Sequence, residues 1–190
     1  GRFRDEARSA AGLKHPGIVP VYKFGHDGQN HYLVSEYVDG PTLRDFIAEE
    51  RARRTTEPGT HSAREWHNRC AEIVASVAEA LEACHRAGII HRDVKPSNIL
   101  LDREIGPRLT DFGIAKSLTP PVHTYNTTLV GSCHYMSPEQ AAAAKARVDH
   151  RSDIFSLGVI LYELLSTQKP FEGPDLQRVL QAVTSHEPRR

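Results

Sequence analysis

The chain has 190 residues, 39% hydrophobic and 25% charged, which fits one globular domain or most of one. Its 24 Lys and Arg balance 24 Asp and Glu, so no basic field marks nucleic acid or an anionic membrane as the partner, and no apolar run approaches the roughly 20 residues of a membrane span. Cys70, Cys84 and Cys133 are odd in number and form no C-x-x-C pair, which argues against a metal knuckle or a disulfide frame and for a reducing compartment.

In chain order, residues 2–13 carry small apolar and charged residues at helical spacing, ended by Gly12. Val19-Pro-Val-Tyr and His31-Tyr-Leu-Val are β-rich runs separated by the turn signal His26-Asp-Gly, which predicts an antiparallel hairpin. Asp39-Gly-Pro breaks the second strand. A short helix is expected from Thr42, as N-cap, to about Arg53, followed by a polar loop over 54–62. The longest helical pattern runs from Ala63 to Ala87. Trp66, Cys70, Ile73, Val77, Leu81 and Cys84 form its stripe, and Gly88 stops it. Cys70 and Cys84 read as small core residues.

Short strands are expected at Ile99-Leu-Leu and Arg108-Leu-Thr, with Gly106-Pro107 in the loop between them. Residues 114–136 read as one long irregular loop. Residues 151–166 are apolar almost all round and read as a buried central helix, and a last amphipathic helix covers Asp175–Val183 with Asp175 as N-cap. The chain starts at Gly1 without an initiator Met and stops in "HEPRR", so it reads as a piece of a longer polypeptide.

Between Ile89-Ile90 and Ile99-Leu100-Leu101 sits "HRDVKPSN", a charged cluster flanked by segments that favour burial. Moving a phosphoryl group asks a protein chiefly for positioning and charge: a carboxylate at the attacking hydroxyl, a cation for the phosphoryl oxygens, and metal ligands. Asp93 suits the first role, Lys95 the second and the Asn98 amide oxygen the third, with Pro96 stiffening the loop. "TDFG" at 110–113 adds Asp111, a hard oxygen ligand suited to Mg2+. "YMSPEQ" at 135–140 closes the irregular loop. Asp153 opens the buried helix and needs partners there.

The ordered set H-R-D-x-K-x-x-N, D-F-G, S-P-E and D-x-F-S-L-G resembles the eukaryotic-like protein kinases. The wording "HRDVKPSNIL", "DFGIAK" and "HYMSPEQ" is most similar to the bacterial serine/threonine members. The resemblance implies an α+β, protein-kinase-like fold. Residues 1–38 would be a remnant of the small lobe and hinge, with helix αC and a β-hairpin, and 39–190 a mainly helical large lobe reaching about helix αG. It implies ATP-dependent phosphorylation of Ser and Thr hydroxyls on proteins, with ATP and Mg2+. Asp93 would be the base, Lys95 its catalytic partner, and Asn98 and Asp111 the metal ligands. Backbone groups of Glu36 and Val38 would meet adenine, Leu100 would pack under the ring, and Ser35 would be a small gatekeeper opening a back pocket. His91 and Phe112 would be structural members of a hydrophobic spine.

Further residues follow from the same resemblance. Glu6 matches the αC glutamate, whose strand lysine is not in this sequence; nor is the glycine-rich phosphate loop. Arg92 and Lys116 would receive a phosphate on Thr128 or Thr127, with Thr124 and Tyr125 behind them, so the chain's own activation loop is a candidate substrate. Ser132 would bond Asp93 and Lys95. Cys133 replaces a common proline and could be an accessible thiol. Glu139 matches a structural glutamate whose arginine lies beyond residue 190, and Asp153 would hold the catalytic-loop backbone. The 190-residue piece alone is expected to transfer phosphate poorly. The domain is expected in the cytoplasm, with a membrane anchor elsewhere in the full-length protein left open. The competing readings are a noncatalytic kinase-like binding module and a small-molecule phosphotransferase.

Overall fold

The computed structural model describes residues 12–28, 30–57, 62–112, 131–142, 148–185 and 188. Residues 2–11 of the expected helix, residues 114–130 of the expected irregular loop, and with them Glu6, Lys116, Thr124, Tyr125, Thr127 and Thr128 lie outside the described residues; the end of that loop is not irregular, since Cys133–Tyr135 forms a 3-10 turn.

The N-terminal part is a two-stranded antiparallel sheet, β1 (Val21–Asp27) and β2 (Asn30–Ser35). Asp27 pairs with Asn30, and Gly28 takes the left-handed φ of +56° that a tight hairpin demands. The strand begins two residues later than the sequence implies. Pro20 has no N–H to donate, and Val19 pairs elsewhere: its amide donates to the Leu109 carbonyl at 2.8 Å. Leu109 N–H donates in turn to Gly17 at 2.8 Å, so the segment before β1 is tied to the fourth strand.

Helix α1 (Leu43–Thr56) is capped by Thr42, whose hydroxyl accepts from the Asp45 amide at 3.2 Å. It outlasts the expected Arg53 end because Arg53 and Arg54 reach back to Glu50 at i−3 and i−4 and complement the negative helix end. Helix α2 (Ala63–Arg86) buries Cys70, Ile73, Val77, Leu81 and Cys84 along its predicted stripe, with Trp66 partly buried against the same core, and Gly88 leaves it at φ +74°. A 3-10 turn (Pro96–Asn98) leads into β3 (Ile99–Asp102), which pairs with β4 (Gly106–Leu109).

Gly106 and Pro107 belong to β4, not to the loop. The turn is made earlier, where the Asp102 carboxylate accepts from the amides of Glu104 and Ile105 at 2.9 and 3.1 Å. Pro107 is tolerated because this sheet has only edge strands.

A second 3-10 turn (Cys133–Tyr135) precedes the short helix α3 (Pro138–Ala141). Helix α4 (His150–Ser166) packs on α2 and buries Leu157, Val159, Ile160 and Leu164. It is not buried all round, since Ile154 and Leu165 are exposed. Helix α5 (Leu176–Ser185) starts one residue after its cap, the Asp175 carboxylate accepting from Arg178 N–H at 2.8 Å. One apolar cluster joins α1, α2, β3, β4, α4 and α5. Among the described residues no helix is long and apolar enough to cross a membrane.

The crossing from β2 to α1 depends on Gly40. A Cβ there would collide with the Leu101 carbonyl oxygen, in the same stretch where Leu101 N–H donates to Pro41 at 2.9 Å. Gly40→Ala is therefore expected to lower stability by about 2 kcal/mol, read from the urea midpoint. An unchanged midpoint would mean that this crossing yields without cost.

Candidate active site

Asp153, fourth residue of α4, is 1% exposed and supports the loop from below. Its Oδ2 accepts from His91 N–H at 2.9 Å and its Oδ1 from Arg92 N–H at 2.8 Å. Oδ2 also meets His85 Nε2 at 2.8 Å. A carboxylate in the first turn of a helix is favoured by the aligned peptide dipoles, and two backbone donors satisfy it where water does not reach. Arg92 has φ +63°, an uncommon left-handed conformation for a side chain of its size. The far end of that residue is fastened too: Gln140 Nε2 donates to the Arg92 carbonyl at 2.9 Å.

This bend projects Asp93. Lys95 Nζ donates to Asp93 Oδ2 at 2.7 Å and to Ser132 Oγ at 2.9 Å. Asn98 Nδ2 donates to the Asp93 carbonyl at 2.9 Å and to Asp93 Oδ2 at 3.2 Å. Asp93, Lys95, Asn98 and Ser132 are thus gathered into one network, with the Asp93 and Lys95 side chains only about one-seventh exposed. The Asn98 amide nitrogen faces Asp93, and its oxygen, a hard donor atom, lies 3.5 Å from the Ser97 hydroxyl.

His91 is fully buried and packs against Phe112, with ring centroids 4.8 Å apart and planes tilted by 35°. Its Nδ1 accepts from Asp93 N–H at 3.3 Å and its Nε2 faces the Thr110 carbonyl at 3.1 Å, so the neutral ring carries its proton on Nε2. Burial pushes its pKa below the ordinary 6.5. Asp111 follows at φ +55°, exposed beside this pair. Among the described residues no three His, Cys, Asp or Glu side chains converge as a metal site. One carboxylate and one amide are still a fitting donor set for Mg2+, which completes its shell with phosphates and water.

The remaining expected residues lie around this centre. Leu100 is half-buried on β3 and Val38 is buried. Glu36 N–H donates to the Pro20 carbonyl at 3.0 Å. The Glu36 side chain has a structural role. Arg108, 4% exposed, donates to Glu36 Oε1 at 2.6 Å, to Asp102 at 3.2 Å and to the Pro16 carbonyl at 3.1 Å. Glu139 accepts from the Ser152 hydroxyl at the start of α4. Cys133 is not an accessible thiol. It is fully buried beneath the 3-10 turn, and burial raises its pKa, so the thiolate is disfavoured.

His85, Arg108 and Gln140 do not stand out in the sequence. Only Gln140 carries a readable signal: Ser137 and Gln140 form a capping box, with Ser137 N–H donating to Gln140 Oε1 at 3.0 Å.

Two expectations follow. Asp153→Ala strands two buried amides and should cost about 3 kcal/mol, measured by urea unfolding; a loss below about 1 kcal/mol would mean that water or a rearranged loop replaces the carboxylate. The second concerns pH. The unfolded chain binds a proton on His91 at the ordinary 6.5, and the folded chain only at lower pH. Its contribution is therefore full above 6.5 and is lost as pH falls toward the folded value. Stability should decline as pH falls below 6.5, and His91→Phe should flatten part of that slope. An unchanged slope in the variant would remove His91 as the cause.

A protein kinase domain family model matches residues 1–188. The chain is 42% identical over 172 residues to the serine/threonine-protein kinase PrkC of Bacillus subtilis, covering 90% of this chain and 24% of that protein. It is 43% identical over 178 residues to the serine/threonine-protein kinase PknB of Mycolicibacterium smegmatis, covering 90% of this chain and 26% of that protein. PknB of Mycobacterium tuberculosis H37Ra is 42% identical over 178 residues, with the same two coverages, 90% and 26%. The chain spans about a quarter of the length of these curated relatives. With a whole-chain family match and relatives at this identity, the chain belongs to the protein kinase domain family, of the bacterial eukaryotic-like serine/threonine type.

Proposed function

We propose that this domain transfers the γ-phosphoryl group of ATP to Ser or Thr hydroxyls of proteins, with Asp93 as the base. The observation that carries the reading is the network in which Lys95 bridges the Asp93 carboxylate and the Ser132 hydroxyl at 2.7 and 2.9 Å. A carboxylate and an ammonium held together at a loop tip suit a reaction in which a hydroxyl loses a proton while a phosphoryl group gains charge density. The acceptor oxygen forms a bond to the γ-phosphorus, the bond from that phosphorus to the bridging oxygen breaks, the hydroxyl proton passes to Asp93, and ADP leaves.

Lys95 would offset charge on the phosphoryl oxygens as a compact cation. Asn98 and Asp111 would hold Mg2+, which when bound supplies charge neutralisation and phosphate orientation. The carbonyl of Glu36 and the amide of Val38 would meet the adenine edge. The Glu36 N–H is committed to Pro20, which favours the carbonyl for that role. Arg92 would receive a phosphate on Thr127 or Thr128, with Lys116 and Glu6 completing the regulatory set. A cytoplasmic location for the domain is consistent with its three free cysteines, all buried, and with ATP as phosphoryl donor.

The test is Asp93→Asn in the longest native polypeptide that carries this sequence, assayed by transfer of labelled phosphate to a protein acceptor. The expected outcome is a loss of about 10³-fold in kcat, with near-UV circular dichroism unchanged. Turnover within about threefold of the parent would reassign the base. ATP binding by the parent without any transfer would favour the noncatalytic binding module.

A further inference from the structure

Beside Asp93 a cavity of about 390 Å3 opens between α1, the catalytic loop and the C-terminal end of α4. Arg44 and Arg51 of α1, Lys95, Glu163 of α4 and Lys169 line it, with Ser132 at the catalytic end. A second hollow of about 550 Å3 shares Arg51 and Lys169 and continues past His134 to Glu172. Among the described residues lining the two, Arg44, Arg51, Lys95 and Lys169 are the Arg and Lys side chains, against the carboxylates Glu163 and Glu172.

Glu163 decides the character of this surface. An open carboxylate on its floor would attract basic peptides, but this one is engaged and its side chain is only 6% exposed. Tyr135 Oη donates to its Oε2 at 2.5 Å, and Arg51 Nη2 stands 3.9 Å from its Oε1. Arg51 is itself anchored, Nε donating at 2.7 Å to the carbonyl of Thr167, which caps α4 at φ +58°. Lys169 Nζ sits 5.7 Å over the Tyr135 ring. Lys95 belongs to Asp93, and Arg44 lies 3.5 Å from Asp45, the arginine largely in solvent and the aspartate about half exposed. The groove thus presents Arg44, Lys169 and the remaining Nη1 edge of Arg51, whose Nε and Nη2 both donate to the Thr167 carbonyl and hold the guanidinium in place before any peptide arrives.

We propose that this groove selects protein segments with acidic side chains flanking the Ser or Thr acceptor, recognised by Arg44, Arg51 and Lys169. The proposal rests on the kinase reading above and adds the substrate class. Arginine forks pair with carboxylates through two parallel hydrogen bonds, and a lysine adds a point charge. Complementary charge of this kind governs partner choice more than total affinity.

The test compares three acceptor peptides that differ only in flanking Asp, Ala or Lys, phosphorylated by the native polypeptide. The Asp peptide should exceed the Lys peptide in kcat/KM by roughly tenfold at low salt, mainly through KM, and the gap should shrink as salt rises. The double variant Arg44→Gln, Lys169→Gln should reduce the Asp-over-Ala preference about fivefold, read as the ratio of the two kcat/KM values within the variant. Arg51 is spared because it also ties α1 to α4. Equal rates for the Asp and Lys peptides, a preference for Lys, or an unchanged preference in the double variant would each overturn the proposal. If none of the peptides is phosphorylated, the kinase reading fails. Fluorescence anisotropy then decides the groove alone: tighter binding of the Asp peptide supports it, and equal binding of Asp and Lys peptides overturns it.

Discussion

A single buried carboxylate sets the geometry of the catalytic loop. Asp153 accepts from two successive amides, those of His91 and Arg92, and the second belongs to a residue at φ +63°. A non-glycine residue keeps such a conformation only where its surroundings over-determine it. The amide end is held by α4, and the carbonyl end by Gln140 of α3. Asp93 comes directly after this bend, so its direction is inherited from a helix 60 residues later in the chain. The loop is therefore rigid because of tertiary bonds, and its charged residues need no regular secondary structure to stay in register.

The same helix contributes at its other end. Glu163 accepts the Tyr135 hydroxyl, and Thr167 offers its carbonyl to Arg51. The N-terminal end of α4 fixes the backbone just before Asp93, while its C-terminal end arranges the charges of the adjacent groove. The helix's apolar middle, Leu157, Ile160 and Leu164, connects the two through the core shared with α2. Burial there supplies the rigidity that lets polar groups at both ends keep fixed partners.

Arg108 does comparable work beside Glu36. It is nearly fully buried, yet it carries two carboxylates and a backbone carbonyl, so its charge is met on several sides. A buried cation without such partners would be costly. Through Glu36, the segment after β2 is fastened to β4, so that segment and the strand before Asp111 share one anchor.

Much of this is legible in the residues. The α2 stripe, the Thr42 cap, the hairpin and the order of the four motifs are each set by local periodicity or local chemistry, which the chain carries wherever it folds. The gathering of Asp93, Lys95, Asn98 and Ser132 is expected only through family resemblance, since nothing local brings residue 132 to residue 95. Local rules go wrong where distant or side-chain bonds intervene: Pro107 in a strand, α1 running on to Thr56, Cys133 closed off from solvent. His85, Arg108 and Gln140 look like ordinary polar residues because their partners are far away in sequence. The sequence alone determined which chemical groups are present and which segments favour helix or strand. The tertiary structure decided which of those groups meet, because hydrogen bonds and charges act over a few ångströms of space whatever the separation along the chain.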